Sequence, residues 1–466
     1  MSFTQATLWC TAPPGDARRT TPGDARRTTP VAPAAAAGPP GAPARRPPTG
    51  AATGRHAAAA PDRTARRGAS RPDAAAVDGD VAAAVQTVLE SLLATRLAHA
   101  DRLGALFTRD LVRRITDLTL HGGHRTRPRL LWWSLRACGG GDRDQVRAAL
   151  RAGAALELLQ TCALVHDDVM DAAPTRRGRP ALHVDVARQY AASSPGGAGR
   201  LGEAAAVLAG DLALAWADDV VTDLLLDGGT LPAGAVQHVR DLWRTTRTEM
   251  VAGQYLDVQG QATAHVTVAR ALHAASLKSA LYTVARPLEL GAALAGADTA
   301  VTRALGRAGR CAGLAFQLRD DLDDLFADPC ATGKPSGGDV RDGKPTYLMA
   351  VARARAVAAG DPAVLGVLDA SLGRADLTEG GLDRVRDVLT ASGTRDLVLD
   401  RIERLDRRAR NHLAAAGLAP GPAAATLHAL LAETAGVPPA GRCPRPPAGE
   451  TPGAAATTAP DAEAGR

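Results

Sequence analysis

The chain has 466 residues with 55 Lys+Arg against 49 Asp+Glu, a formal net charge of +6. Residues 1–77 hold eleven Arg and only four Asp, so the remainder is close to neutral, which argues against a basic nucleic-acid-binding domain. Thirteen aromatic residues are too few for a β-rich core or base-stacking platforms, and six scattered cysteines without a CxxC suggest neither a disulfide framework nor a zinc site and fit a reducing cytoplasm.

The start, MSFTQATLWCTAPP, lacks the basic opening and apolar core of a secretory signal. Residues 1–77 are rich in Pro and Ala and repeat the octamer GDARRTTP at 15–22 and 23–30. Such a segment buries too little apolar surface to offset its ordering entropy, and reads as a disordered tail. Residues 437–466 are again Pro-rich without apolar periodicity and read as a second tail. Between them, residues 78–436 are helical by period. Val81, Val85, Val88, Leu89, Leu92 and Leu93 share one helical face. Gly-rich breakers follow at 121–123, 138–141, 193–199, 227–229 and 336–338. There is no alternating strand run, so the expected fold class is all-α, one domain of many helices around a shared core. No charge-free apolar run reaches bilayer-spanning length, so stable membrane insertion is not expected. Trp132 and Trp133 are expected in the core, as is Cys162, while His166 and His183 are expected to orient their neighbours.

Two acidic clusters carry the chemical signal. Asp167, Asp168 and Asp171 form the first D-D-x-x-D; Asp320, Asp321 and Asp324 form the second. Positions i and i+4 share a helical face, so Asp167 pairs with Asp171 and Asp320 with Asp324. Two such clusters call for countercharge, most simply a hard divalent cation. Mg²⁺ takes one or two carboxylates and completes its shell with water and phosphate oxygens. Cations flank both clusters: Arg176 and Arg177 after the first, Lys334 and Lys344 after the second, and Arg125, Arg127 and Arg129 in GGHRTRPRL. Carboxylates for metal beside Arg and Lys for phosphate oxygens describe a diphosphate site. No GxxxxGK[ST] or GxGxxG loop points to a nucleotide.

With GGHRTRP, ELLQTCALVHDDVMD, RRGRPALH, GEAAAVLAGD, GQYLD, LKSALY, FQLRDDLDD and GKPSGGDVRDGKPT in that order, the chain resembles the trans-prenyl diphosphate synthases, or polyprenyl synthetases. The resemblance implies a bundle of long helices around a deep apolar cavity, acting as a homodimer on isopentenyl diphosphate and an allylic diphosphate. It implies three Mg²⁺ held by Asp167, Asp168, Asp171 and Asp320, with Asp321 and Asp324. Arg176, Lys278, Lys334 and Lys344 would contact the allylic diphosphate. His124, Arg127, Gln160 and Arg177 would hold isopentenyl diphosphate. Ser279 through its carbonyl and Gln317 through its side chain would face the developing allylic cation, with Gln254 and Asp257 in support.

Two positions depart from the family pattern. His124 stands where GGKR carries Lys, and Gln160 where ELLH carries His. Both changes bear on isopentenyl diphosphate. The resemblance implies that product length depends on the turns before Asp167, where Ala163 and Cys162 are small and Leu159 would follow as a partial floor. Small residues there imply elongation to geranylgeranyl diphosphate, with farnesyl or longer products as alternatives. A terpene cyclase of the same fold and a non-catalytic partner subunit are the rival classes; two intact Asp clusters argue against both.

Overall fold

The structure, a computed structural model, describes residues 73–227, 231–263, 267–328 and 336–436. Residues 1–72 of the first tail, the whole second tail and Lys334 lie outside the described residues. The first helix, α1 (Ala74–Gly79), begins inside the segment read as tail. It forms there because Asp73 caps it, accepting from the Ala76 amide at 2.7 Å. Asp78 then anchors it by accepting from Trp132 Nε1 and Arg136 Nε.

The chain continues through α2 (Val81–Leu103), a short turn and π-helical stretch (Thr108–Val112), α3 (Arg113–Leu120), α4 (Thr126–Ala137) and α5 (Arg143–Met170). A hairpin of two-residue strands follows, β1 (Thr175–Arg176) and β2 (Arg179–Pro180), antiparallel with Arg176 opposite Arg179. Its turn is Arg177-Gly178, both at positive φ (53° and 73°), the geometry that two-residue hairpin loops favour. Then come α6 (Leu182–Tyr190), α7 (Ala198–Leu226), α8 (Ala235–Thr263) and α9 (Val268–Ala275). A π-helical segment, Ser276–Ala285, leads into α10 (Arg286–Leu294) and α11 (Thr299–Phe326). The C-terminal part adds α12 (Gly338–Arg341), α13 (Tyr347–Ala359), α14 (Pro362–Ser371), α15 (Glu379–Ala391), α16 (Thr394–Ala414) and α17 (Pro422–Thr434).

The long helices begin where the sequence supplies caps. Asp142 accepts from the Asp144 and Gln145 amides while Gln145 reaches back, a capping box that starts α5. Asp298 caps α11 by accepting from the Ala300 and Val301 amides. Val81, Val85, Leu89 and Leu93 are buried as the periodicity requires. In α7, Ala205, Ala206, Ala209, Gly210 and Ala213 are buried, and these small residues let its backbone lie close along α5. Trp132 and Cys162 are in the core, and Trp133 packs against it. α2 and α5 are each long and apolar enough to cross a bilayer; most of α5 is inside the bundle. The sequence reading excluded such spans because it required them to be free of charge, and α2 carries Glu90 and Arg96.

Candidate active site

Both Asp clusters sit at the C-terminal end of a long helix, the first in the last turn and the second across the last two. α5 ends at Met170 and α11 at Phe326, so Asp167, Asp168, Asp320, Asp321 and Asp324 lie where the helix macrodipole is negative. Carboxylates are disfavoured there unless cations face them. The two helix ends open on one cavity of about 1630 Å³.

Around Asp167 the cations are in place. Its Oδ1 accepts from Lys278 Nζ at 3.1 Å and from Gln254 Nε2 at 2.9 Å, and its Oδ2 lies 3.4 Å from Arg176 Nη2. Burial pushes the Asp167 carboxyl up, but Lys278 and Gln254 outweigh it and hold it below the usual range. Lys278 also reaches Asp257 Oδ2 at 2.5 Å; despite burial, Asp257 and Asp167 raise its pKa. Lys278 can bridge α8 and α5 because Gly253 admits the π-helical segment. A Cβ at Gly253 would fall 2.3 Å from the Lys278 amide nitrogen. π-Helical turns of this kind recur at functional sites.

The six carboxylates take different parts. Asp168 is buried and does not line the cavity; it accepts from Arg176 Nε at 2.8 Å. Burial leaves its pKa raised even so. Asp321 is also buried, and its Oδ1 accepts from Gln317 Nε2 at 2.8 Å. Burial, with Asp339 nearby, pushes its carboxyl well above the usual range. Asp168 thus holds Arg176, whereas Asp321 holds Gln317 and also lines the cavity. Asp171 Oδ2 takes Lys344 Nζ at 3.0 Å, whereas its Oδ1 is buried without a partner. Asp320 is exposed and lines the cavity. Asp324 Oδ2 accepts from the Asp339 amide at 3.1 Å.

No three ligating side chains among the described residues converge as a ready-made metal centre. The donor set nevertheless fits a hard cation that shares its shell with a diphosphate, because each cluster offers one or two carboxylates and Asp171 keeps an oxygen unspent.

A second cationic group lies on another wall. Arg127 donates from Nη2 to Thr283 Oγ1 at 2.8 Å and stacks 4.2 Å above the centre of the Tyr282 ring. Arg127 Nε, Gln160 Oε1 and the Tyr282 hydroxyl are all buried without a partner, and all three residues line the cavity. Buried polar atoms left open in this way are what a polar ligand would satisfy. Arg177 lines the cavity too, donating to the Leu118 and His121 carbonyls at 3.1 and 2.8 Å.

His124 is exposed and is not among the residues that line the cavity. Gly122 and Gly123 both have positive φ, Arg177 packs over them, and the chain delivers His124 to solvent. Ser279, Gln317, Arg176 and Lys344 do line the cavity. Cys162 and Ala163 line it as expected, and Leu159, one turn below Ala163, is fully buried and not among the lining residues. His166 bonds the Val207 carbonyl at 3.1 Å, fixing α5 on α7. The sequence reading missed Asp339, which lies 3.7 Å from Lys344 and is pushed up to about 7 by burial and by Asp324. It sits inside GKPSGGDVRDGKPT, where its spacing from the second cluster gave no helical signal. Tyr282 and Thr283 were missed as well, because apolar context hides a side chain whose partner is a distant arginine.

Residues 109–372 match the family model of the polyprenyl synthetases. The chain is similar to the geranylgeranyl diphosphate synthase of Methanosarcina mazei, 34% identical over 229 residues, which cover 49% of this chain and 63% of that protein. It is similar to the geranylfarnesyl diphosphate synthase of Aeropyrum pernix, 29% identical over 64% of this chain and 87% of that protein. The match thus spans just under two thirds of the first of these relatives and more of the second. Among solved structures it is similar to a geranylgeranyl pyrophosphate synthase from Corynebacterium glutamicum, complexed with isoprenyl diphosphate and magnesium. There the identity is 35%, the TM-score 0.69, and the coverage 75% of this chain and 97% of that one.

Proposed function

Because the chain belongs to the polyprenyl synthetase family, we propose that it condenses isopentenyl diphosphate with an allylic diphosphate, and that geranylgeranyl diphosphate is the main product. The observation that carries this reading is the pair of Asp-bearing helix ends facing one cavity, with Lys278, Lys344 and Arg176 between them. Asp167, Asp171, Asp320 and Asp324 would hold three Mg²⁺, while Asp168 and Asp321 position Arg176 and Gln317. Bound magnesium would supply the charge that neutralises the departing diphosphate.

The chain's own groups do the rest. Arg176, Lys278 and Lys344, with Lys334, bind the allylic diphosphate, and the two lysines at 278 and 344 release their carboxylates as they do so. Arg127, Gln160 and Arg177 bind isopentenyl diphosphate, without His124. Gln317 and the Ser279 carbonyl point dipoles at the allylic carbon as positive charge develops there. The isopentenyl double bond attacks that carbon, and the proton lost in the new chain passes to the departing diphosphate. The apolar wall keeps water from the cation. Small side chains at Ala163 and Cys162 support a product beyond farnesyl. A homodimer is proposed on the exposed apolar face of Val207 and Leu208 on α7 and Val251 and Tyr255 on α8.

The test is incubation of the purified chain with labelled isopentenyl diphosphate, Mg²⁺ and dimethylallyl, geranyl or farnesyl diphosphate in turn, followed by chain-length analysis. Incorporation into a twenty-carbon product is expected. No incorporation with any primer overturns the synthase reading, and a farnesyl end product overturns the length assignment.

A further inference from the structure

Arg125, Arg127 and Arg177 gather around the wall assigned to isopentenyl diphosphate, and the fold has to hold them there before any ligand neutralises them. Arg127 and Arg177 line the cavity. Arg125 is only 6% exposed and is not among the lining residues. Partial desolvation, with Arg125, Arg176 and Arg127 close by, pushes the Arg177 guanidinium below its ordinary value, and Glu157 is the acid that opposes them.

The carboxyl end of α3 is where these groups are joined. A helix leaves its last carbonyls without partners of its own, and here two arginines take them. Arg125 Nη2 donates to the Thr119 and Leu120 carbonyls at 2.8 and 3.1 Å. Arg177 Nη1 donates to the Leu118 and His121 carbonyls at 3.1 and 2.8 Å. The helix macrodipole is negative at this end, which suits both cations. Both Arg177 bonds come from Nη1, so Nε and Nη2 are left for a ligand. Arg125 is fixed from the other side as well. Its Nη1 donates to Glu157 Oε2 at 2.5 Å and its Nη2 to Gln86 Oε1 at 2.8 Å. Arg125 immediately precedes α4, whose second residue is Arg127. The Thr119 and Thr161 hydroxyls meet at 2.9 Å and tie α3 to α5, the helix that carries Glu157. Glu157 is 6% exposed and, like Arg125, is not among the lining residues.

We propose that Glu157 is a positioning residue for isopentenyl diphosphate: through Arg125 it fixes the carboxyl end of α3, and that end seats Arg177. This rests on the condensation reading above and deepens it. Glu157 touches no substrate. Its charge is matched by Arg125, so the positive charge of Arg127 and Arg177 is kept for the diphosphate. Without the carboxylate, Arg125 is a third unneutralised cation beside the other two, and the seat of Arg177 shifts with it. Two effects then oppose each other. Removing a negative charge near the wall strengthens its long-range pull on a diphosphate, whereas loss of the seat weakens the direct charge-assisted bonds. The first is screened by water and salt at an open site. The second is not, so binding weakens.

The experiment measures the steady-state kinetics of Glu157→Gln with Mg²⁺, varying labelled isopentenyl diphosphate at a saturating level of the allylic primer that the wild type uses fastest, and then the reverse. Gln keeps an acceptor for Arg125 and removes the charge. The KM for isopentenyl diphosphate should rise about tenfold, the low end of what loss of an outer partner costs at metal sites, while the KM for the allylic primer does not change. A purely structural role lowers the fraction of active protein, and with it the apparent kcat, and moves neither KM. If Glu157→Gln does not fold, Arg125→Lys carries the same expectation, because it keeps the buried ion pair and gives up the fork on the α3 carbonyls. An unchanged or lower KM for isopentenyl diphosphate, an equal rise for both substrates, or a folded variant without turnover at saturation overturns this assignment alone. A wild-type chain that incorporates no label overturns it together with the synthase reading.

Discussion

Gly253→Ala tests whether the contact between α8 and the π-helical segment places the lysine that chemistry needs. The new Cβ would lie 2.3 Å from the Lys278 nitrogen, 2.6 Å from its Cα and 2.7 Å from the Leu277 carbonyl carbon. Carbon contacts settle near 3.5–4.0 Å, and these neighbours are backbone, so the two elements must part by about 1 Å. Overpacking of this kind costs about 1–3 kcal/mol. A displacement of about 1 Å at a positioning group costs about 100-fold in rate. Lys278 would leave Asp257 or Asp167, because it spans both. We expect kcat to fall about 100-fold with a melting temperature only a few degrees lower. Gly366→Ala is the control: this glycine lies inside α14 with nothing within 4 Å. Alanine there should stabilise by about 0.5–1 kcal/mol and leave turnover unchanged. A Gly253→Ala protein with wild-type kcat would refute the argument.

Other changes address the metal site, the core and acid stability. Asp167→Ala and Asp320→Ala should each abolish turnover; full activity in both would mean that metal binds elsewhere. Arg125 and Glu157 form a 2.5 Å ion pair, each 6% exposed, so Glu157→Gln strands a buried guanidinium and should cost about 3–5 kcal/mol in denaturant unfolding. A loss below about 1 kcal/mol would show that the bonds from Arg125 to Gln86 Oε1 and the Thr119 carbonyl suffice. Burial raises the Asp110 carboxyl, but Arg109, Tyr190 and Gln189 outweigh it and hold it at about 2. Its contribution, about 1 kcal/mol after solvent screening, is present above pH ~4 and lost as pH falls towards 2. The stability gap between wild type and Asp110→Asn should therefore close on acidification; a constant gap would count against the ionised state.

The helices were legible because their signals are local and repeated. Val81, Val85, Leu89 and Leu93 all reach the core, and Asp142 and Asp298 cap the helices that carry the clusters. The pairing of the two Asp clusters was legible from spacing, but the division of labour within them was not. Asp168 and Asp321 look like their neighbours in sequence; both are buried, Asp168 off the cavity wall and Asp321 on it, and burial depends on helices distant in the chain. His124 shows the converse. The motif places it beside an arginine pair, yet two glycines at positive φ aim it at solvent. The hairpin at 175–180 was missed because two-residue strands have no period to read, although Arg177-Gly178 is a turn signal.

The most economical signal in the chain is its use of lysine. Of 55 basic residues only three are lysine: 278, 334 and 344. The sequence otherwise uses arginine, including for its buried ion pairs. Of the two lysines among the described residues, each joins carboxylates from separate elements across the cavity: Lys278 joins Asp167 to Asp257, and Lys344 joins Asp171 to Asp339. An arginine fork locks onto one planar carboxylate with several parallel bonds, whereas an ammonium is a compact charge on a flexible stem. If the proposed diphosphate displaces these carboxylates in each cycle, the second kind of cation has the smaller barrier to letting go. Arg176 by contrast is held by the buried Asp168 at 2.8 Å. Exclusion of lysine almost everywhere else makes the two described positions, 278 and 344, a readable mark of the site.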